Sequence, residues 1–229
     1  MKLTREGIAY RLAQDLEEGS YVNLGVGMPC LVPEFIPVNR EIFVHNENGT
    51  LGIGPVAGKG YEDIDLVSAS REYVTLVPGA SVFDHATSFG MIIGGHLTHV
   101  VLGAMQVASN GDLANWHVPG NNVPGVGGAM DLAFGAQNVW IMMTHVNNKG
   151  EPKILKKCNY PLTAPNCVKR IYTDIAVIDI TPKGLILKEI VEGLDSGYVQ
   201  SLTDVELIIE TNLRKIDIPK TYNNIQLIS

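Results

Sequence analysis

Glu47 stands between Asn46 and Asn48 and is followed by Gly49. The run Glu41-Ile42-Phe43-Val44-His45 before it reads as a strand, which places the acid on a polar turn beyond the strand's end. In an open α/β sheet, ligands bind outside the carboxyl ends of strands, and a glycine beside the acid lets backbone and substrate approach closely. A carboxylate so placed is positioned to meet a substrate. An exposed turn carboxylate that merely accepts backbone hydrogen bonds has the same local sequence, so the turn alone leaves both readings open.

A second group is Gly125-Val126-Gly127-Gly128-Ala129-Met130-Asp131. Glycines that lead into a helix leave N–H groups free at its start, and such groups bind anions or a developing oxyanion. An ordinary loop-to-helix turn fits the same residues, and Asp131 is accounted for by the helix dipole. Gly25-x-Gly27 also follows a strand, with Glu47 twenty residues beyond Gly27. That spacing mimics a dinucleotide fingerprint, but Cys30, behind Pro29, occupies the third glycine position. The histidines at 45, 85, 96, 99, 117 and 145 lack HxxxH or HExxH spacing, and no metal site is expected. Asp84-His85 with Ser81 or Ser88 reads as chance, since no G-x-S-x-G elbow is present. Trp116, in Asn115-Trp116-His117, is expected in a pocket wall or in the core.

The elements that must hold these residues alternate in type. Residues 4–18 have helical apolar spacing at Ile8, Leu12 and Leu16, with Thr4 as N-cap and Gly19 as stop. Tyr21–Leu24, Tyr73–Val77, His99–Leu102 and Val139–Met143 read as strands, the second ended by Pro78-Gly79. Leu31–Phe35, Ala86–Ile93 and Ala129–Phe134 read as helical. Ile175–Ile180 and Leu185–Ile190 flank Thr181-Pro182-Lys183-Gly184 as a hairpin, and Thr203-Asp204-Val205-Glu206 has capping-box spacing ahead of Leu207. Residues 103–128 are too long for a structureless loop and are expected to be functional or to hold short elements. The expected architecture is α/β: an open, mainly parallel sheet flanked by helices, in one domain over 1–229 with a loosely ordered tail from about 217.

The chain has 229 residues and a formal net charge of −7, with 18% charged and 45% hydrophobic residues. No basic stripe is present, which argues against nucleic acid and anionic membrane as partners. The low charge fraction fits a surface covered by an obligate partner, and a thick α/β core fits it equally. Cys30, Cys158 and Cys167 are odd in number and scattered, as expected of free thiols in a reducing compartment. With no signal-like start and no membrane-length apolar run, a cytoplasmic location is expected.

Several segments together carry a resemblance. Val44-His45-Asn46-Glu47-Asn48-Gly49-Thr50-Leu51-Gly52 resembles the Ser-Glu-Asn-Gly signature of the β half of family I CoA-transferases, which act on 3-oxoacids such as acetoacetate and 3-oxoadipate. In the same order follow resemblances at 23–29, 94–96, Leu102-Gly103-Ala104-Met105-Gln106-Val107, Ala114-Asn115-Trp116, 127–132, Lys153-Ile154 and 161–164, spanning about residues 5–205. The resemblance implies the CoA-transferase fold and Glu47 as the catalytic carboxylate that carries CoA as a glutamyl thioester in a ping-pong reaction. It also implies Gly127, Gly128 and Ala129 as the oxyanion and CoA-binding loop, and Asn46, Asn48, Gly25 and Gly27 around the substrate pocket. Coenzyme A would be a co-substrate with no bound cofactor, and the partner an α subunit in an α2β2 assembly. The sequence departs from the family at Asn46, where serine is usual. A hydrolase on the same scaffold, a non-catalytic binding homologue and, more distantly, a sugar-phosphate isomerase remain alternatives. Arg71 and Arg170 are the cations available to a dicarboxylate substrate.

Overall fold

The computed structural model describes residues 2–120, 125–218 and 227–228. In chain order the elements are β1 (Lys2–Leu3), α1 (Arg5–Ala13), β2 (Tyr21–Leu24), a 3-10 helix (Met28–Phe35), β3 (Phe43–Asn46), β4 (Thr50–Val56), β5 (Val74–Val82) and α2 (His85–Ile93). They continue as β6 (His99–Leu102), β7 (Gln106–Ala108), β8 (Leu113–Ala114), α3 (Ala129–Gly135), β9 (Asn138–Met142), β10 (Ile154–Leu155) and β11 (Val168–Tyr172). The last are β12 (Ala176–Thr181), β13 (Gly184–Val191), α4 (Ser196–Ser201), β14 (Leu207–Ile216) and β15 (Leu227–Ile228).

Ten strands form one sheet in the order β14-β13-β12-β11-β9-β6-β2-β3-β4-β5. The stretch β11-β9-β6-β2-β3 is parallel throughout, and antiparallel pairs join on either side of it. Its strands are buried on both faces, and alternate residues divide between two cores. Val100, Leu102, Val139 and Ile141 pack with Ile92 of α2, Leu132 of α3 and Val199 of α4. Val22, Leu24, Val101 and Trp140 pack on the other side with Ile8 and Leu12 of α1 and Val32 and Phe35 of the 3-10 helix. Each such side chain contributes roughly 1.5–3 kcal/mol by burial. The expected α/β sheet flanked by helices is therefore present. β7, β8 and β10 form a separate small sheet, so the glycine-rich 103–128 segment does hold short elements.

Several elements differ from expectation. The first helix ends at Ala13, not at 18, with Thr4 Oγ1 accepting the Gly7 N–H as its N-cap. The next turn is diverted by polar contacts: the Arg40 guanidinium takes the Gln14 and Leu16 carbonyls, and Asp15 turns onto Arg11, Arg170 and Tyr172. Strand β5 runs through Pro78-Gly79 to Val82, with a register shift opposite β4 between Leu51 and Ile53. β5 ends the sheet, so Pro78 removes no ladder bond that the sheet needs, and Gly79 takes a φ of 87° at the irregularity. Thr203 does not begin a helix. It closes α4, donating to Val199 O and meeting His145 Nε2, and Leu207 opens β14. Strands β4 and β11 were not anticipated. Most of the tail expected to be loose, residues 219–226 and 229, lies outside the described residues. No helix among the described residues is long and apolar enough to cross a membrane.

Candidate active site

The Glu47 turn joins β3 to β4, whose register pairs Asn46 with Thr50 and His45 with Leu51. Glu47, Asn48 and Gly49 form the loop between them, closed by a Gly49 N–H bond to Asn46 O at 3.0 Å. Gly49 has φ 113°, outside the range of ordinary L residues, and a Cβ there would lie 2.1 Å from Phe83 O. The Gly49 carbonyl in turn accepts the Phe83 N–H at 2.9 Å. Glycine is thus required twice at this position, by conformation and by the closeness of the neighbouring chain.

A buried polar chain holds the strand side of the turn. Asn23 Nδ2 donates to His45 Nδ1 at 3.0 Å, and His45 Nε2 meets Ser88 Oγ of α2 at 3.1 Å. Donation into Nδ1 places the imidazole proton on Nε2, which donates to Ser88, and Ser88 Oγ then faces Asn46 O at 3.5 Å. Burial pushes the His45 pKa down to about 4, so the ring is neutral near pH 7. Asn46 clamps the turn from the other side: its Nδ2 donates to Val67 O at 2.8 Å and its Oδ1 accepts the Asn48 N–H at 3.3 Å.

Glu47 opens into a cleft of about 540 Å³, a size suited to a small-molecule ligand. Its walls are two loops at the carboxyl ends of parallel strands, Gly25 after β2 and Gly103–Met105 after β6, together with the segment leading into α3. Gly127, Gly128 and Ala129 line it, as does Trp116, whose Nε1–H donates to Leu162 O at 3.3 Å. Asn115 is also in the wall and ties Gly103 O through its Nδ2 at 3.1 Å. Gly128 packs against the carboxylate itself: a Cβ on it would sit 2.9 Å from Glu47 Oε2. Among the described residues Glu47 makes no hydrogen bond and no ion pair, so its carboxylate is available to a ligand. Of the expected pocket residues, the structure brings Gly25 to the cleft but not Gly27, Asn46 or Asn48. Gly27 donates its N–H to Ser70 Oγ, and Asn46 and Asn48 shape the turn from behind.

The other candidates resolve differently. Asp84 caps α2 by accepting the Thr87 N–H, and Ser88 faces His45, so no triad forms with His85. Arg170 is committed to Asp179 and Asp15 beside Trp140. Arg71 is exposed with φ 63°, two residues beyond Ala69 of the cleft wall. Burial raises the Cys158 and Cys167 thiols to about 11, which makes them poor nucleophiles. Among the described residues no group of three His, Cys, Asp or Glu side chains is placed to hold a metal ion. Asn23, His45 and Ser88 were missed as a unit. Asn23 and His45 were marked only as polar residues inside otherwise apolar strands, and Ser88, on α2, carried no mark of the pairing.

The coenzyme A transferase family matches residues 5–200, and the chain belongs to that family. It is therefore an enzyme of the CoA-transferase type, a class that uses coenzyme A as co-substrate. It is 51% identical to the B subunit of the 3-oxoadipate CoA-transferase of Acinetobacter baylyi, over 92% of this chain and 97% of that protein. It is 44% identical to the B subunit of the probable succinyl-CoA:3-ketoacid coenzyme A transferase of Bacillus subtilis, over 93% and 99%. Among solved structures, an acyl-CoA transferase from Escherichia coli O157:H7 superposes with a TM-score of 0.72 at 18% identity, over 93% of this chain and 43% of that one, a likeness of fold.

Proposed function

We propose that this chain is the β-type subunit of a CoA-transferase that moves CoA between an acyl-CoA and a 3-oxoacid, such as acetoacetate or 3-oxoadipate, through Glu47. The observation that carries the reading is the unpartnered Glu47 carboxylate, set against Gly128 at the mouth of the parallel sheet. A Glu47 oxygen attacks the thioester carbonyl, the C–S bond breaks, and CoA leaves as thiolate from a mixed anhydride. The thiolate then attacks the glutamyl carbonyl, the first acid departs, and a glutamyl-CoA thioester remains. A second acid reverses both steps. The Gly127-Gly128-Ala129 loop is the proposed oxyanion support, and one such donor is worth about 3 kcal/mol in the transition state. Both intermediates hydrolyse, so the site must exclude water. The proposed partner is an α subunit, in an α2β2 assembly, that closes the cleft. The relatives are named as B subunits, which supports a two-subunit enzyme, and the scattered free thiols support a cytoplasmic setting.

The test is to co-express the chain with its α subunit, incubate with acetoacetyl-CoA without acceptor acid, reduce with borohydride and map peptides by mass spectrometry. A CoA-dependent change at Glu47, absent in Glu47→Gln, is expected. An assembled complex that shows none with several acyl-CoAs would sink the glutamyl-thioester reading. CoA release that needs no acceptor acid would mark a hydrolase instead.

A further inference from the structure

Lys153 lies where two cavities meet beside the Glu47 cleft. Its main chain is fixed, with its N–H bonded to His145 O at 3.2 Å and its carbonyl accepting the Val107 N–H at 2.9 Å. The side chain lines one cavity of about 480 Å³ with Gln106, Asn147, Glu151 and Tyr160. It also lines a second of about 490 Å³ with Lys2, Arg5 and Asp174. The first cavity shares Ala104 and Met105 with the Glu47 cleft, so a single loop separates the two.

Among the described residues no hydrogen bond or ion pair holds Lys153 Nζ. Asp174 acts on it through space, but its oxygens are engaged by Lys2 Nζ at 3.3 Å and by the His145 N–H at 2.6 Å. Lys2 and Arg5 add positive charge to that wall, and Glu151 and Tyr160 are the ionisable groups of the other. Burial outweighs Asp174 and brings the Lys153 pKa down to about 8. At pH 7.5 roughly a quarter of Lys153 is then free amine, against about 0.1% for a lysine at 10.5.

We propose that Lys153 is a self-acylation site, taking the acyl group of an acyl-CoA held across the Ala104-Met105 loop. Neutral Nζ attacks the thioester carbonyl, a C–N bond forms, the C–S bond breaks, and CoA leaves as a thiol with the proton that Nζ gives up. Lys153 ends as a neutral amide, and the cavity loses one cation and part of its volume. The inference rests on the proposed use of acyl-CoA by this site, but not on Glu47 as nucleophile. Lower basicity returns part of the gain in free amine. With a Brønsted slope near the 0.4–0.5 known for thiols, the net advantage over an exposed lysine is about tenfold.

The assembled complex with its α subunit is incubated with succinyl-CoA between pH 6.5 and 9.5, and acyl-lysine is counted by peptide mass spectrometry. Lys149, Lys156 and Lys157, exposed on the same stretch of chain, are internal controls. Lys153 is expected to acylate about tenfold faster than these at pH 7.5, with a rate that levels off above pH 8. Equal rates at all four lysines would overturn the proposal. The adduct is expected to persist in Glu47→Gln, and its loss there would show that the acyl group travels through Glu47, overturning direct attack. Transfer of CoA to an acceptor acid is read separately in the wild type, so failure of the transferase reading and failure of this one are distinguishable.

Discussion

Asn23 and His45 are register partners on adjacent parallel strands, β2 and β3, and their side chains are hydrogen-bonded at 3.0 Å in the buried sheet. Through Ser88 the bond extends to the carbonyl of Asn46, the residue before Glu47. The carboxylate is thereby placed by a sheet and a helix together. Ser88→Ala removes the acceptor of the His45 Nε2–H and is expected to cost about 1–3 kcal/mol of stability. It should lower kcat more than it raises KM, because it disturbs the position of Glu47 rather than a substrate contact. Denaturant unfolding and steady-state kinetics on the same preparation check both parts.

Gly128→Ala separates positioning from folding. Gly128 has φ −73°, which alanine accepts, and the nearest atoms to the added methyl are Glu47 Oε2 at 2.9 Å and Phe89 Cζ at 3.5 Å. A carboxylate displaced by about 1 Å can lose on the order of 10²-fold in rate. The expected outcome is a fall in kcat of that size with a thermal midpoint close to wild type.

Gly49→Ala should do the reverse and damage the fold first. Both the positive φ and the 2.1 Å approach to Phe83 O oppose a Cβ. Strain and overpacking together predict a loss of about 3 kcal/mol or more, measured by the urea midpoint.

Asn46→Ser tests the departure from the family signature. Serine is too short to keep the bond from Asn46 Nδ2 to Val67 O, and about 1 kcal/mol of stability should go with it. The change is behind the cleft wall, so the ratio of kcat/KM between acetoacetate and 3-oxoadipate should shift little. A large shift would show that Asn46 acts on the substrate.

Stability should fall in mild acid. His45 and His145 are held neutral by burial, with pKa values near 4 against 6.5 in the unfolded chain. Between those values the unfolded chain binds protons that the native one does not. The contribution of these two histidines is therefore full above pH 6.5, is lost as pH drops toward 4 and changes no further below, by up to about 3 kcal/mol per histidine. Urea midpoints at pH 7 and pH 5 measure the slope, and His145→Gln should flatten it.

Of the central parallel strands, β2, β3, β6 and β9 were legible because each is a short apolar run with glycine or asparagine at one end, and His99–Leu102 has the bounds expected; β11, between Cys167 and Thr173, carried no such mark. The place of Glu47 on a turn after such a run was legible, but its proposed role came only with the family resemblance. β4 was hidden because Gly52 and Gly54 read as loop, although both pack tightly in the sheet: a Cβ on Gly52 would be 2.9 Å from Ala80, and one on Gly54 2.6 Å from Thr75. The end of α1 was hidden because Arg40 and Arg170, which divert it, come from distant parts of the chain. The Asn23–His45–Ser88 chain was illegible for the same reason: register and helix packing, rather than sequence spacing, bring its members together.

The irregular strand β5 has a consequence for assembly. At this end of the sheet Pro78 lacks the N–H that an added strand would need, and the bulge around Gly79 twists the rim out of register. Both features oppose lengthening of the sheet here by backbone pairing with a second chain. Val56, Val77 and Val82 are exposed along this end, which offers a neighbour apolar side chains rather than a regular backbone ladder. The same device keeps copies of the chain from stacking edge to edge before a partner arrives.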